Sequence, residues 1–584
     1  MKKIKQITAV FIAAAFITLS ALSAFAAGND VENELEKELK EHTYTAYQVF
    51  KAADVADGKL ESVEWGSALA DADAQNAFLA ALKSEDASIF KDCTKAKEVA
   101  RVLEKLSDDD EKLKAFAKFV ISYDGIQKYT ETNKESGETV DTFTNGDKIS
   151  EAGYYVFKDS ADTYTVLNPV LVKMVTNGTV EIKAKASVPQ VEKKVLETSY
   201  NKDYASKTIT ADVDSEQVPL NYGKGYNDAA DYNIGDAVPF ELIGTVPENF
   251  TDYDSYYYAF HDTLSKGLTY NTKKPDLTKL TVEHYNVKKD DTTGELAYKP
   301  VATLGAELYS PNAVVNDDGT TSLDIVFDNL RKVPNLTADS LLIVRYNAVL
   351  NNDAVIGLPG NENEVYLQYS NNPYNTEYKP EKPDETTGKT PKDKVIVFTY
   401  QLDVNKVDPD GNNLKDAEFI LKNADGKYYS SHSEGDSYWV DGEKNAEVLT
   451  SNAQGLFEVK GIDNGEYFLK ETKAPAGFKK LEDEIQFTVD AKLISRNAES
   501  DEDAPQTWEG VPEIALSSFS ATLQDNPAAE LVSAENGTVS LKVTNTDVYD
   551  LPGTGGIGTT VFYIAGGVLV AAALVLLVVK RKVK

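Results

Sequence analysis

Apolar and polar positions alternate with period two along most of this chain, and each such run predicts a half-buried β-strand. The runs fall at Tyr44–Phe50, Gly153–Phe157, Thr163–Leu167 and Thr179–Ala184, then at Val191–Val195, Asp254–Leu264 and Asn363–Tyr369. A last group surrounds Leu402–Lys406, Tyr467–Glu471 and Val539–Asn545. One stretch changes period. Across Glu64–Tyr123 the apolar residues Leu69, Phe78, Leu82, Val99, Leu103, Leu106, Leu113, Phe116 and Phe119 form stripes amid charge, which predicts helices. Clusters of Gly, Asn, Asp and Pro punctuate the runs, so the expected fold class is mainly β, largely antiparallel, with a helical insertion near the N-terminus.

Two apolar runs show neither period. Ile7–Leu22 follows Lys2, Lys3 and Lys5 and precedes Ala24-Phe25-Ala26, the layout of a secretory signal peptide ending at residue 26. Ile557–Val579 holds 23 uncharged residues, enough as a helix to cross a hydrocarbon core of about 30 Å. Lys580, Arg581, Lys582 and Lys584 follow and would stay cytoplasmic. Between these ends lie about 520 residues, enough for three or four domains. The pattern divides them into 27–186, 187–378, a Pro- and Lys-rich linker at 379–394, and 395–549, with 550–584 as the tail.

Charge and cysteine content narrow the function. The formal net charge is −34, and loss of the seven basic residues flanking the two terminal runs deepens it to −41, which excludes a nucleic-acid partner. With one cysteine, Cys93, an exported chain has no internal disulfide, and Cys93 on the helical stretch reads as a small core residue. The histidines His42, His261, His284 and His432 are scattered. No cofactor motif or metal-ligand set occurs, and Asp408-Pro409-Asp410-Gly411-Asn412-Asn413 reads as a β-turn.

The candidate chemistry lies where polar residues interrupt apolar strand faces. Lys193 shares a face with Val191 and Val195, Asp262 with Tyr258 and Phe260, and Asn363 with Val365, Leu367 and Tyr369. The same trio recurs as Lys406 with Leu402 and Val404, Glu471 with Tyr467 and Leu469, and Asn545 with Val539, Leu541 and Val543. Burying these groups singly costs several kcal/mol for each charge. Buried together, they could remain an ion pair beside a hydrogen-bonded asparagine, or they could react. Apolar surroundings favour a neutral amine and a protonated acid. The amine can then attack the carboxamide while the acid polarises the carbonyl and shuttles protons, releasing ammonia and leaving an amide crosslink.

Several segments also resemble known families. Leu551-Pro552-Gly553-Thr554-Gly555, the apolar span and the basic tail resemble the cell-wall sorting signal of Gram-positive surface proteins. That resemblance implies cleavage by sortase between Thr554 and Gly555 and transfer of the Thr554 acyl group to an amine. Pro189–Val195, Asp262–Leu268 and Asn363–Pro373 look like the signature segments of the fimbrial isopeptide-formation domain. They imply Lys193 as nucleophile, Asp262 as catalytic acid and Asn363 as acceptor, with Asn371, of equal strand parity, as the alternative. Asn405–Asp408, Gly465–Phe478 and Val543–Thr546 resemble the CnaB-type domain of Gram-positive adhesins and pilins, implying a second bond from Lys406 to Asn545 with Glu471 as catalyst. Val180–Lys185 aligns with the pilin motif V-Y-P-K-N of backbone pilins, which implies Lys185, or else Lys183, as the acceptor lysine for polymerisation. No set is identified in the first domain. The implied fold is a tandem of Ig-like β-sandwiches. The implied function is that of a backbone subunit of a sortase-assembled pilus, with sortase, further copies of the chain and peptidoglycan as partners, and ancillary pilins and a host surface ligand beyond them. A monomeric wall-anchored adhesin and a tip or base pilin are the alternatives. An anchored glycosidase fits less well, because the singled-out acids sit on apolar strand faces. No turnover active site is expected.

Overall fold

The computed structural model describes residues 41–548 and 557–582, apart from 57–58, 108–109, 133–136, 161–165, 169–170, 176–177, 180–186, 198–225, 271–279, 290–295, 375–385, 432–437 and 494–514. The expected signal peptide, Lys183, Lys185 and the motif Leu551–Gly555 therefore lie outside the described residues.

The N-terminal region is a sheet covered by helices. Strand β1 (Thr43–Lys51) pairs antiparallel with β2 (Gly153–Asp159), which pairs with β3 (Leu171–Val175). Between β1 and β2 run helices α1 (Ala72–Glu85), α2 (Ala96–Leu103) and α3 (Glu111–Ser122). Asp71 caps α1 by accepting from Ala74 N at 2.9 Å, and Asp110 caps α3 through Lys112 N, each satisfying an amide the first turn leaves free. Phe78, Leu82, Val99, Leu103, Leu113 and Phe116 pack with Val49, Phe50 and Cys93 in one buried cluster. The helical stretch starts at Ala72, eight residues later than its pattern suggested, because Glu64–Trp65 pairs with Phe50–Lys51 as a strand. Trp65 stacks on Phe50 with centroids 5.4 Å apart, so its apolar bulk serves the sheet. Of the strand expected at Thr163–Leu167, the described part, Val166–Leu167, is coil. Strand β3 was not foreseen.

The middle region is a sandwich of two sheets. One runs Tyr226–Asn227, β4 (Val191–Leu196), β5 (Ala237–Thr245), β8 (Ser340–Leu350), Thr281–Lys289 and Leu296–Thr303. The other contains β6 (Tyr258–Leu264), β7 (Thr321–Phe327) and β9 (Asn361–Ser370). Strand β6 begins at Tyr258, four residues inside the expected Asp254 start. The expected linker 379–394 needs a larger correction. Thr387–Lys389 pairs with Gln368–Ser370, and β10 (Asp393–Phe398) pairs antiparallel with β9 and parallel with Ala229–Asp231. Residues 387–398 thus complete the middle sandwich, and the boundary moves to Thr399. Pro and Lys disguised these strands, since only Val395–Phe398 are apolar.

The C-terminal sandwich follows at once. Strand β11 (Tyr400–Val407) lies in one sheet, β12 (Gly465–Lys473) in the other, and β13 (Thr538–Thr544) returns beside β11 in parallel, with Lys406 opposite Val543. One continuous core joins both sandwiches. At their junction Gly357 (φ +58°) lies against Gly537 (φ +80°), where a Cβ on Gly537 would stand 2.4 Å from Gly357 Cα, so the loops touch only because both lack side chains. The helix α4 (Ile557–Lys582) ends the chain and is long and apolar enough to span a membrane.

Candidate functional site

Strands of both sheets carry the first site. Alternation along β4 turns Lys193 inward, and cross-strand register sets Asp262 opposite Val365 and Asn363 opposite Leu264, so Asp262 and Asn363 are diagonal neighbours on β6 and β9. Lys193, Asp262 and Asn363 are each at most 1% exposed. Lys193 Nζ donates to Asp262 Oδ1 at 2.5 Å and to the Tyr346 hydroxyl at 3.1 Å. Asn363 Nδ2 donates to the same hydroxyl at 2.8 Å, and that hydroxyl donates to Asp262 Oδ2. The Lys193 amine also lies 5.2 Å from the Phe240 ring centroid, an apolar wall. The Asn363 carbonyl oxygen, Oδ1, is buried without a hydrogen-bond partner.

Burial sets the electrostatics. Desolvation pushes the Lys193 amine down from its ordinary value, against the pull of Asp262, and pushes the Asp262 carboxyl up, against Lys193 and Tyr346. Both shifts move the pair away from the ion pair and toward a neutral amine and a protonated acid. Such a pair can perform aminolysis of Asn363. The orphaned Oδ1 is where an acid proton would be accepted, and fixed strands supply the proximity. Asn371, the alternative acceptor, lies beyond the end of β9. Its backbone bonds Thr386 and Leu167, and eight strand residues put it about 26 Å from Asn363.

The sequence pattern missed Tyr346. Its signal was available: Leu342, Val344, Tyr346 and Ala348 alternate inward on β8, and a phenol on an apolar face needs a polar partner. It also missed that Lys194, on the other face of β4, is buried against Asp228, because both faces of that strand are covered.

The second site closes the C-terminal sandwich. Lys406 on β11 and Asn545, one residue past β13, come from the parallel pair, and Glu471 comes from β12 in the facing sheet. All three are at most 1% exposed. Lys406 Nζ donates to Val543 O at 3.0 Å. Asn545 Nδ2 donates to Glu471 Oε2 at 3.0 Å and to Lys479 O at 2.7 Å, while Leu481 N holds the same Oε2 at 2.7 Å. Glu471 Oε1 and Asn545 Oδ1 are buried without partners. Desolvation lowers the Lys406 pKa to about 8 despite the nearby Glu471 charge. In the N-terminal region, where no set was expected, His42 Nδ1 lies 2.6 Å from Asp159 Oδ2, and Asn168 Nδ2 donates to that oxygen at 3.1 Å. A histidine, an aspartate and an asparagine thus meet in the buried interior of that region.

Residues 400–502 match the model of a prealbumin-like fold domain, SpaA, and residues 550–584 match the LPXTG cell wall anchor motif. The chain is 26% identical over 445 residues to the trypsin-resistant surface T6 protein of Streptococcus pyogenes serotype M6, covering 66% of this chain and 75% of that protein. Among solved structures, the T6 backbone pilin of serotype M6 Streptococcus pyogenes is similar at 16% identity and a TM-score of 0.44, over 87% of this chain and 96% of that one. The full-length major pilin RrgB from Streptococcus pneumoniae is similar at 16% identity and a TM-score of 0.39, over 73% of this chain and 90% of that one. The chain is therefore a cell-wall-anchored surface protein of mainly β architecture, with a prealbumin-like SpaA domain ahead of an LPXTG anchor.

Proposed function

We propose that this chain is the backbone subunit of a covalently polymerised, sortase-assembled pilus, stiffened by Lys193–Asn363 and Lys406–Asn545 isopeptide bonds. The observation that carries the reading is the repetition of one buried lysine–acid–asparagine arrangement in two successive sandwiches ahead of an LPXTG anchor. Asp262 and Glu471 serve as the acids, and each site reacts once with its own chain rather than turning over a substrate. Sortase cleaves between Thr554 and Gly555 of the motif Leu551-Pro552-Gly553-Thr554-Gly555 and joins Thr554 to Lys185 of the next copy, with Lys183 as the alternative acceptor, until the last subunit is passed to peptidoglycan. The relative's name, trypsin-resistant, suits sandwiches locked in this way. Adhesion to a host surface is the expected role of the fibre.

An immunoblot of detergent-boiled wall extract tests it. A ladder of multimers that collapses in Lys185→Ala supports the backbone role and its acceptor. A ladder that persists moves the acceptor to another lysine. A single wild-type band means a monomeric anchored protein and overturns the reading.

A further inference from the structure

One residue at the first site is placed for chemistry that the lysine–acid–asparagine trio does not cover. Aminolysis removes a proton from the attacking nitrogen and must deliver one to the departing nitrogen. Tyr346 is the group that touches both: its hydroxyl oxygen lies 3.1 Å from Lys193 Nζ and 2.8 Å from Asn363 Nδ2. Its own proton is directed at Asp262 Oδ2. The side chain is held there by a stacked contact with Phe240, centroids 5.4 Å apart, and an edge contact with Tyr270 at 5.7 Å. We propose that Tyr346 is a further catalytic residue of the Lys193–Asn363 reaction, relaying the proton from the attacking to the departing nitrogen in concert with Asp262. The inference rests on the crosslinking read above for this site.

The steps balance. As the neutral amine forms the Nζ–Cγ bond, protonated Asp262 gives its proton to Oδ1 of Asn363. The carboxylate so made takes the Tyr346 proton while Tyr346 takes one from Nζ. The same pair then runs in reverse toward the other nitrogen: Tyr346 donates to Nδ2 and is refilled from Asp262. The Cγ–Nδ2 bond breaks, ammonia leaves, and the proton on Oδ1 returns to Asp262. Tyr346 is neutral before and after each transfer, which suits a phenol whose pKa burial and the Asp262 charge push well above its ordinary value. At the second site Asn545 Nδ2 meets Glu471 directly at 3.0 Å, so the acid alone reaches the departing nitrogen.

The test follows bond formation in the full chain during cell-free synthesis with detergent, by mass spectrometry of the crosslinked peptide that joins the segments around Lys193 and Asn363. Tyr346→Phe keeps the ring and its packing, and should slow closure of this bond by about a hundredfold, the lower end of proton-transfer contributions, while leaving the Lys406–Asn545 bond at its wild-type rate. Difluorotyrosine at position 346 changes hydroxyl acidity without removing the hydroxyl, and should shift the rate and reduce the solvent deuterium isotope effect, which a purely packing role would not move. Wild-type closure with an equal rate in Tyr346→Phe, or an isotope effect unchanged in the fluorinated protein, overturns the relay. Absence of the bond in the wild type overturns the underlying crosslink instead.

Discussion

A lysine amine attacks a carboxamide only in its neutral form, so the charge state of Lys406 governs the second site. With its pKa lowered to about 8 by burial, about a tenth of the amine is neutral at pH 7 and most of it at pH 9. Closure of the Lys406–Asn545 bond should therefore accelerate from about pH 6 and level off above about pH 8. Pulse-labelled chains digested at intervals would show this, and a flat profile would remove the neutral amine from the mechanism. The same shift has a stability consequence where the bond cannot form. In Asn545→Ala the folded lysine titrates near pH 8 and the unfolded one near 10.4. Between these values the unfolded chain binds more protons, so stability rises with pH through that window and is lowest below it. The full difference is about 3 kcal/mol, readable as a rising urea midpoint. At the first site, Asn363→Ala should retain the mass of one ammonia that the wild type loses, whereas Asn371→Ala should lose it as the wild type does. The opposite pattern would restore Asn371 as acceptor. The inward, buried positions of the lysine, acid and asparagine at both sites were legible because each breaks an apolar strand face. Tyr346 was not, because tyrosine is common on such faces and only the facing sheet reveals what its hydroxyl meets.

At the scale of elements, parity was readable and strand pairing was not. Inward positions at the sites on β6, β9, β11, β12 and β13 follow the alternation of the sequence because there a buried face alternates with a partly buried one. Strand β4 breaks the rule, with five successive buried residues, since charged neighbours such as Asp228 cover its outer face. The segment after residue 378 misled for a different reason. Local composition reports turn propensity, whereas β10 is fixed by long-range pairing with β9 and Ala229–Asp231. Its place has a measurable consequence. Val395, Ile396, Val397 and Phe398 are fully buried, and each contributes about 1.5–3 kcal/mol, together comparable with the 5–15 kcal/mol that holds a whole domain. A fragment 187–378 should stay unfolded by circular dichroism and digest rapidly, while 187–399 folds cooperatively. Equal protease resistance of the two would place β10 outside the middle core.

For the whole molecule, the positions of the two proposed bonds would decide where tension is borne. In the C-terminal sandwich, β11 and β13 are the first and last strands and lie parallel side by side, so a Lys406–Asn545 bond shunts force past nearly every residue of that domain. The middle sandwich differs, because β9 is not its last strand. A Lys193–Asn363 bond leaves the rest of β9, Thr387–Lys389 and β10 in the line of tension, ahead of Lys406. That stretch is held by sheet hydrogen bonds on both sides of β10 and by the Asp393 carboxylate, which accepts from Lys193 N at 2.7 Å. The proposed fibre would then be a chain of covalent clamps joined by one extensible segment per subunit, of about 40 residues and at most about 15 nm when drawn straight. Pulling a single mature chain between residue 187 and residue 548 should give one step of that size at most. Lys193→Ala should replace it with a step several times longer, as the middle sandwich unravels from its first strand. A long step in the wild type would mean that the first bond does not lie in the load path. No step at all below covalent rupture would mean that β10 is clamped by something stronger than its sheet.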